Sequence, residues 1–158
     1  MEIKYMLRDD SAAVITEITN PPEILEIPSV LDGHRVAELS ADFIPFGSKS
    51  KARQIHLPDT IEKIGVHAFR DMRWLKVLTL PESLTEIADF GIYTCPDLTR
   101  LYIPSSVKTF GRCAFGFMYE HGRAYKLNYF TLLCKADAPA KSFALENGLQ
   151  FEIIDEGV

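Results

Sequence analysis

The sequence predicts a solenoid of the α/β class, rich in strand and poor in regular helix, with about five stacked rungs. Three observations carry that expectation. Residues 55–118 superimpose on themselves in blocks of 23, with Pro58, Pro81 and Pro104 marking the same place in each block. Around these prolines the apolar columns repeat: Leu57, Leu80 and Ile103 precede them, Ile61, Leu84 and Val107 follow, and then come Ile64, Ile87 and Phe110, and Phe69, Ile92 and Phe115. The two ends break the period in the manner of caps. A unit that cannot bury its apolar face alone must stack on its neighbours, so a period of this length means a coil whose turns share one core.

The amino-terminal cap is read as a β-hairpin over residues 1–20. Ile3, Tyr5 and Leu7 alternate on one face, Asp9-Asp10-Ser11 breaks the run, and a second apolar stretch follows from Ala12 to Ile18. Such a hairpin can cover both the open end of the core and an unpaired strand edge. The repeats are placed at 21–133. Their first member is stretched, because Pro28 lies 30 residues before Pro58. The excess falls in 30–35, where Leu31-Asp32-Gly33-His34 reads as a turn, and in 45–51, which has the Gly/Ser/Lys composition of a loop. Val36 and Leu39 are then the counterparts of Ile61 and Ile64.

In each regular unit, a strand carries two inward apolar residues spaced by two, as Leu78 and Leu80 are, while Leu75 plugs the core from the preceding turn. Proline ends the strand because it has no N–H to offer the next rung. Apolar spacings of three and four then predict a turn and a short helical or irregular arc that closes the coil. Small residues at Gly65, Ala88 and Gly111 permit neighbouring coils to approach closely. Met72, Cys95 and Met118 form a core-filling column. His67, Phe90 and Cys113 form a column that accepts any side chain and is placed at the surface of the arc.

The pattern around Leu98–Phe115, with Tyr102-Ile103-Pro104-Ser105-Ser106-Val107 inside it, resembles the BspA-like class of leucine-rich repeats. Phe130-Thr-Leu-Leu and the later Ser142–Phe151 stretch are similar to that family's terminal helix-and-strand cap, so the resemblance covers nearly the whole chain. It implies a right-handed superhelix with a parallel sheet on its concave side, and bacterial surface-attachment or protein-binding roles without catalysis. After Met118 a polar segment, 119–126, is read as an insertion. The terminal cap is placed at 134–158: Asp137 is expected to cap a helix from about Ala138 to Asn147, Pro139 suits its first turn, Gly148 its end, and Leu149–Ile154 a final strand. Residues 1–158 are thus expected to form one leucine-rich-repeat domain.

Composition excludes several function classes. The net charge is −5 and the sequence pI about 5.4, against the basic face of a general nucleic-acid binder. No apolar run is long enough to span a bilayer, and Glu2, Asp9, Asp10 and Glu17 interrupt any signal-peptide core, which favours a cytoplasmic chain, or a surface or secreted one if a leader was trimmed. Cys95, Cys113 and Cys134 are odd in number and lack metal spacing, and His34 and His121 fall in insertions without companion ligands, so neither metal nor cofactor is expected.

The outward positions of the strands are where specificity can be written. One ladder is expected to read Ile24, Gln54, Val77, Arg100, Tyr129, a second Glu26, His56, Thr79, Tyr102, Thr131, and a flanking column Glu23, Arg53, Lys76, Thr99, Asn128. The candidate partner-binding residues on this concave face are Arg53, Gln54, His56, Lys76, Val77, Thr79, Arg100, Tyr102, Tyr129 and Thr131. Tyr, Arg and His are amphipathic anchors of protein interfaces, and the adjacent cations Arg53 and Lys76 either splay into solvent or await an acidic partner group. The expected function is therefore a non-catalytic, monomeric module that binds a protein, with adhesin-like attachment as the alternative. An enzyme would have to use His56 as base and Glu26 as its orienting carboxylate, but no Ser or Cys nucleophile occupies the neighbouring rungs. Leu101 is expected to be fully buried and Thr99 to lie outside the core.

Overall fold

The computed structural model describes residues 1–49 and 51–154; Ser50, within the expected 45–51 insertion, and 155–158, at the end of the expected terminal cap, lie outside the described residues. The chain begins with strands β1 (Glu2–Leu7) and β2 (Ala13–Thr19), which pair antiparallel as the alternation predicts. β3 (Ile24–Glu26) opens the coil, and β4 (Val30–Leu31) turns back on β5 (His34–Leu39). Asp32 and Gly33 take φ of 48° and 85° at that turn. Positive φ at both central residues is what a tight two-residue hairpin needs, and Asp-Gly supplies it at little cost.

Strands then alternate between two faces. β6 (Gln54–His56), β8 (Val77–Thr79) and β10 (Arg100–Tyr102) lie on the front, and β7 (Lys63–Ile64), β9 (Glu86–Ile87) and β11 (Thr109–Phe110) behind. β12 (Phe117–Glu120) and β13 (Arg123–Lys126) form a projecting antiparallel hairpin, and β14 (Thr131–Cys134), α1 (Pro139–Asn147) and β15 (Gln150–Ile153) complete the chain. The result is a β-solenoid of about six turns with mostly parallel strands and one short α-helix.

The coil has three sides. The front sheet holds β3-β6-β8 and β10-β14-β15, and the back sheet runs β1-β2-β5-β7-β9-β11. The third side lacks named strands, yet its arcs stack through the backbone: Phe69 N–H donates to the Gly91 carbonyl at 2.8 Å and Ile92 N–H to the Ala114 carbonyl at 2.8 Å. Leu25, Ile55, Leu101 and Leu132 point inward from the front, Leu39, Ile64 and Ile87 from the back, and Phe43, Phe69, Ile92 and Phe115 from the third side, all within one core. Phe115 packs on Phe130 and on Phe143 of α1, so the helix seals the last coil.

Four expectations need correction. The arc after each proline contains a two-residue strand, and these strands build the back sheet; a pair of residues is too short to show the alternation that marks a strand. The insertion 119–126 is a hairpin, turning at His121 and Gly122 with φ of 50° and 78°. Its residues 123–126 are all exposed, so no buried face disciplines their pattern. The last front rung sits two residues later than expected: Arg100 pairs with Thr131 and Tyr102 with Leu133, while Tyr129 lies in the preceding turn. Leu127 is buried and Phe130 N–H donates to its carbonyl, as Leu98 does to Cys95, so Leu127 fills the column assigned to Met118. Finally, α1 starts after an extended Ala138 with no side-chain cap, so Asp137 does not cap it, whereas Pro139 in the first turn and Gly148 in the left-handed region at its end agree with the sequence.

Candidate functional site

The front sheet brings Gln54, His56, Val77, Thr79, Arg100, Tyr102 and Thr131 onto consecutive rungs with the register of the repeat, since Gln54 pairs with Val77 and His56 with Thr79. Arg53 and Lys76 flank them. Tyr129 is exposed but outside the ladder.

Several of these side chains are already engaged. Arg53 faces Glu23 at 3.9 Å, and Arg100 pairs with Glu152 of the terminal strand at 3.0 Å. The expected like-charge contact is thereby relieved on one side only. Lys76 has no carboxylate within 4.0 Å among the described residues and is exposed, which leaves it the uncompensated cation of the face. A row also runs across three rungs: His56 Nε2 lies 3.9 Å from Glu26 Oε1, and His56 Nδ1 shares a 2.8 Å hydrogen bond with Thr79 Oγ1. Glu26 and Thr79 are both exposed, so the row stands on the open surface of the sheet rather than in a closed cleft.

The front sheet is not continuous. β8 and β10 occupy adjacent coils but form no ladder. At the β3–β6, β6–β8 and β10–β14 junctions the repeat makes two marker bonds. Lys76 and Val77 N–H donate to the Arg53 carbonyl, and Leu57 N–H donates to the Thr79 carbonyl. Their counterparts across this junction, from Thr99 or Arg100 N–H to the Lys76 carbonyl and from Leu80 N–H to the Tyr102 carbonyl, are not made. A cleft of about 550 Å³ occupies the split, lined by Lys76, Thr79, Glu82, Arg100 and Tyr102 among others. One side-chain bond spans it, from the Tyr102 hydroxyl to Glu82 Oε1 at 3.3 Å. Desolvation, with Glu82 nearby, raises the Tyr102 hydroxyl's pKa above its ordinary value, which is the direction expected for a hydroxyl that donates to a carboxylate. Five of the residues singled out from sequence, Lys76, Val77, Thr79, Arg100 and Tyr102, thus border one cleft.

The column of His67, Phe90 and Cys113, expected at the surface of the arc, is half-buried and lines a second cavity on the third side. His67 stacks on Phe90 with ring centroids 5.2 Å apart and planes 6° from parallel. A column of unlike residues masked this relation. The signal available in the sequence was the insertion immediately after the column, because added chain can wall off a face that a bare solenoid leaves flat.

A family model described as BspA type leucine rich repeat region (6 copies) matches residues 45–125. Among solved structures, the chain is similar to a leucine-rich repeat protein of T. pallidum, at 19% identity and a TM-score of 0.58, over 83% of this chain and 68% of that one. It is similar to one from Bacteroides capillosus, at 20% identity and a TM-score of 0.60, over 76% and 94% respectively. A third, from Bacteroides ovatus, shares 22% identity and a TM-score of 0.52 over 73% of this chain and 37% of that one. At these identities the likeness concerns the fold. No curated protein matches the chain.

Proposed function

Because this chain belongs to the BspA-type leucine-rich repeat family, we propose that it is a non-catalytic binding module that holds an extended segment of a partner protein along its front sheet, seated at the split between β8 and β10. Repeats of this family are typically protein-interaction or surface modules. The observation that carries the reading is the interrupted ladder. Strand-edge N–H and C=O groups that lack their usual partners lie in a cleft bordered by Tyr102 and Arg100, and main-chain pairing is a recurrent way for a sheet to hold a peptide. Lys76 supplies the uncompensated charge, which favours an acidic group on the partner at that end of the cleft. The module acts as a monomer in this reading.

The row of Glu26, His56 and Thr79 does not favour catalysis. Its threonine is exposed, and the sheet offers no group of convergent donors beside it to stabilise a developing oxyanion.

The test is capture of a partner from the native source by the unaltered chain and by a Lys76→Ala/Tyr102→Ala variant. Both residues are on the surface side of the sheet, so the variant should keep its melting temperature and lose capture. Hydrogen exchange at Leu80 and Arg100 should slow when the captured partner is bound. Capture by the variant equal to that of the parent, or protection that avoids both strands, contradicts the proposal.

A further inference from the structure

We propose a second site, independent of the front sheet, on the third side of the coil: a pocket for a small aromatic carboxylate. The pocket, half open to solvent, has a volume of about 810 Å³, within the range of about 300–1,000 Å³ usual for ligand sites. Three consecutive coils form its floor, through His67, Phe90 and Cys113 among others, and the β12–β13 hairpin its wall, with Tyr119 and Ala124 contributed by the hairpin. The wall is fastened in place. Tyr119 N–H donates to Thr94 Oγ1 at 3.0 Å and Thr94 N–H to the Phe117 carbonyl at 2.9 Å.

The ligand class follows from the groups that face the cavity. Tyr93 and Tyr119 provide aromatic contact for a flat ring, while Phe90, stacked on His67 and covered by Arg112, forms part of the floor. Three guanidinium groups line the pocket, of Arg70, Arg73 and Arg112, against one carboxylate, that of Asp71. Two of the three are neutralised: Arg70 lies 2.9 Å from Asp42 and Arg73 3.6 Å from Asp71. Arg112 has no ion pair among the described residues; its guanidinium carbon sits 5.1 Å from the centroid of the Phe90 ring. One unpaired guanidinium beside aromatic rings matches one negative charge on an aromatic body, and a planar carboxylate suits the two-pronged geometry of arginine.

Two further polar groups of the pocket point the same way. Tyr93 is 5% exposed, and its buried hydroxyl has no hydrogen-bond partner; His67 Nδ1 is likewise buried and unpartnered. Leaving such groups unpaired is costly, so a ligand oxygen that met the Tyr93 hydroxyl after a side-chain adjustment would gain more here than at a solvated surface. The site needs no general affinity for anions: the whole chain carries −5, and the positive character is local to this side.

The full chain is titrated with 2-naphthoate by calorimetry and by heteronuclear NMR. The expected result is saturable binding with shifts at Phe90, Tyr93 and Arg112, weakened by about tenfold or more in Arg112→Gln and unchanged in Tyr102→Ala on the front sheet. Cyclohexanecarboxylate, which has the charge without the ring, and 2-naphthalenemethanol, which has the ring without the charge, should each bind at least about tenfold more weakly. Arg112 is exposed, so the glutamine variant should fold, and an unchanged melting transition verifies it. No saturable binding, equal binding of either control compound, undiminished binding by Arg112→Gln, or shifts confined to the front sheet would each overturn the proposal. The Tyr102→Ala arm separates this site from the partner cleft, since loss in one need not touch the other.

Discussion

Leu101 and Thr99 are two residues apart in sequence and opposite in energy. Leu101 is 1% exposed inside the core, whereas Thr99 stands outside it. Leu101→Ala should cost roughly 2–5 kcal/mol in chemical denaturation, the range for emptying a well-packed site, and Thr99→Ala should cost little. Gly111 tests packing in the reverse direction. A Cβ placed there would meet the Asp89 backbone nitrogen at 2.1 Å, and backbone cannot swing aside as a side-chain tip does. Gly111→Ala should therefore lower stability by about 1–3 kcal/mol, measured by the same denaturation. Such inward positions were legible because burial acts on every coil alike and leaves a column in the sequence. The coil corners were not: His67, Phe90 and Cys113 all hold left-handed φ, at 57°, 53° and 50°, without the glycine that would announce it.

At the scale of elements, the amino-terminal hairpin is fastened by charge as well as by its ladder. Arg8 bonds Asp10 within the turn and reaches Glu62 Oε2, two rungs along the back sheet, at 3.2 Å, and Arg35 approaches the same carboxylate at 2.6 Å. The Arg8 guanidinium, helped by the Ala12 N–H, holds the Asp10 carboxyl down to about 2 from its ordinary 3.8. A carboxylate with a depressed pKa stabilises the fold above its unfolded value and loses that contribution as pH falls through the folded one. Melting temperature should thus fall more steeply across the window from 3.8 towards 2 in the parent than in Asp10→Asn, with circular dichroism as the measurement. This hairpin was readable because its first strand alternates and Asp9-Asp10-Ser11 interrupts it. The second hairpin was not, since it projects into solvent and nothing selects one of its faces; the same projection shifted the last rung by letting Met118 stand in for Leu127.

For the molecule as a whole, the period told that coils stack, which is a statement about the inside. It could not tell where stacking lapses. The candidate residues on the front were legible as outward positions of strands, but their meeting at a cleft depends on hydrogen bonds absent between two particular rungs, and backbone pairing leaves no mark on side-chain pattern. The third-side pocket was hidden for a related reason: it arises from an inserted hairpin meeting three corners, where the residue types are unlike and the hairpin is outside the period.

The interrupted front ladder also has a mechanical meaning. Across every other front junction, hydrogen bonds on the front share the tension along the coil axis. Between β8 and β10 it passes through the β9–β11 ladder, the stacked third-side arcs and the core alone. The front is therefore more compliant there than at its other junctions, like a spring with one weakened turn, and bending that widens the front would concentrate at this junction.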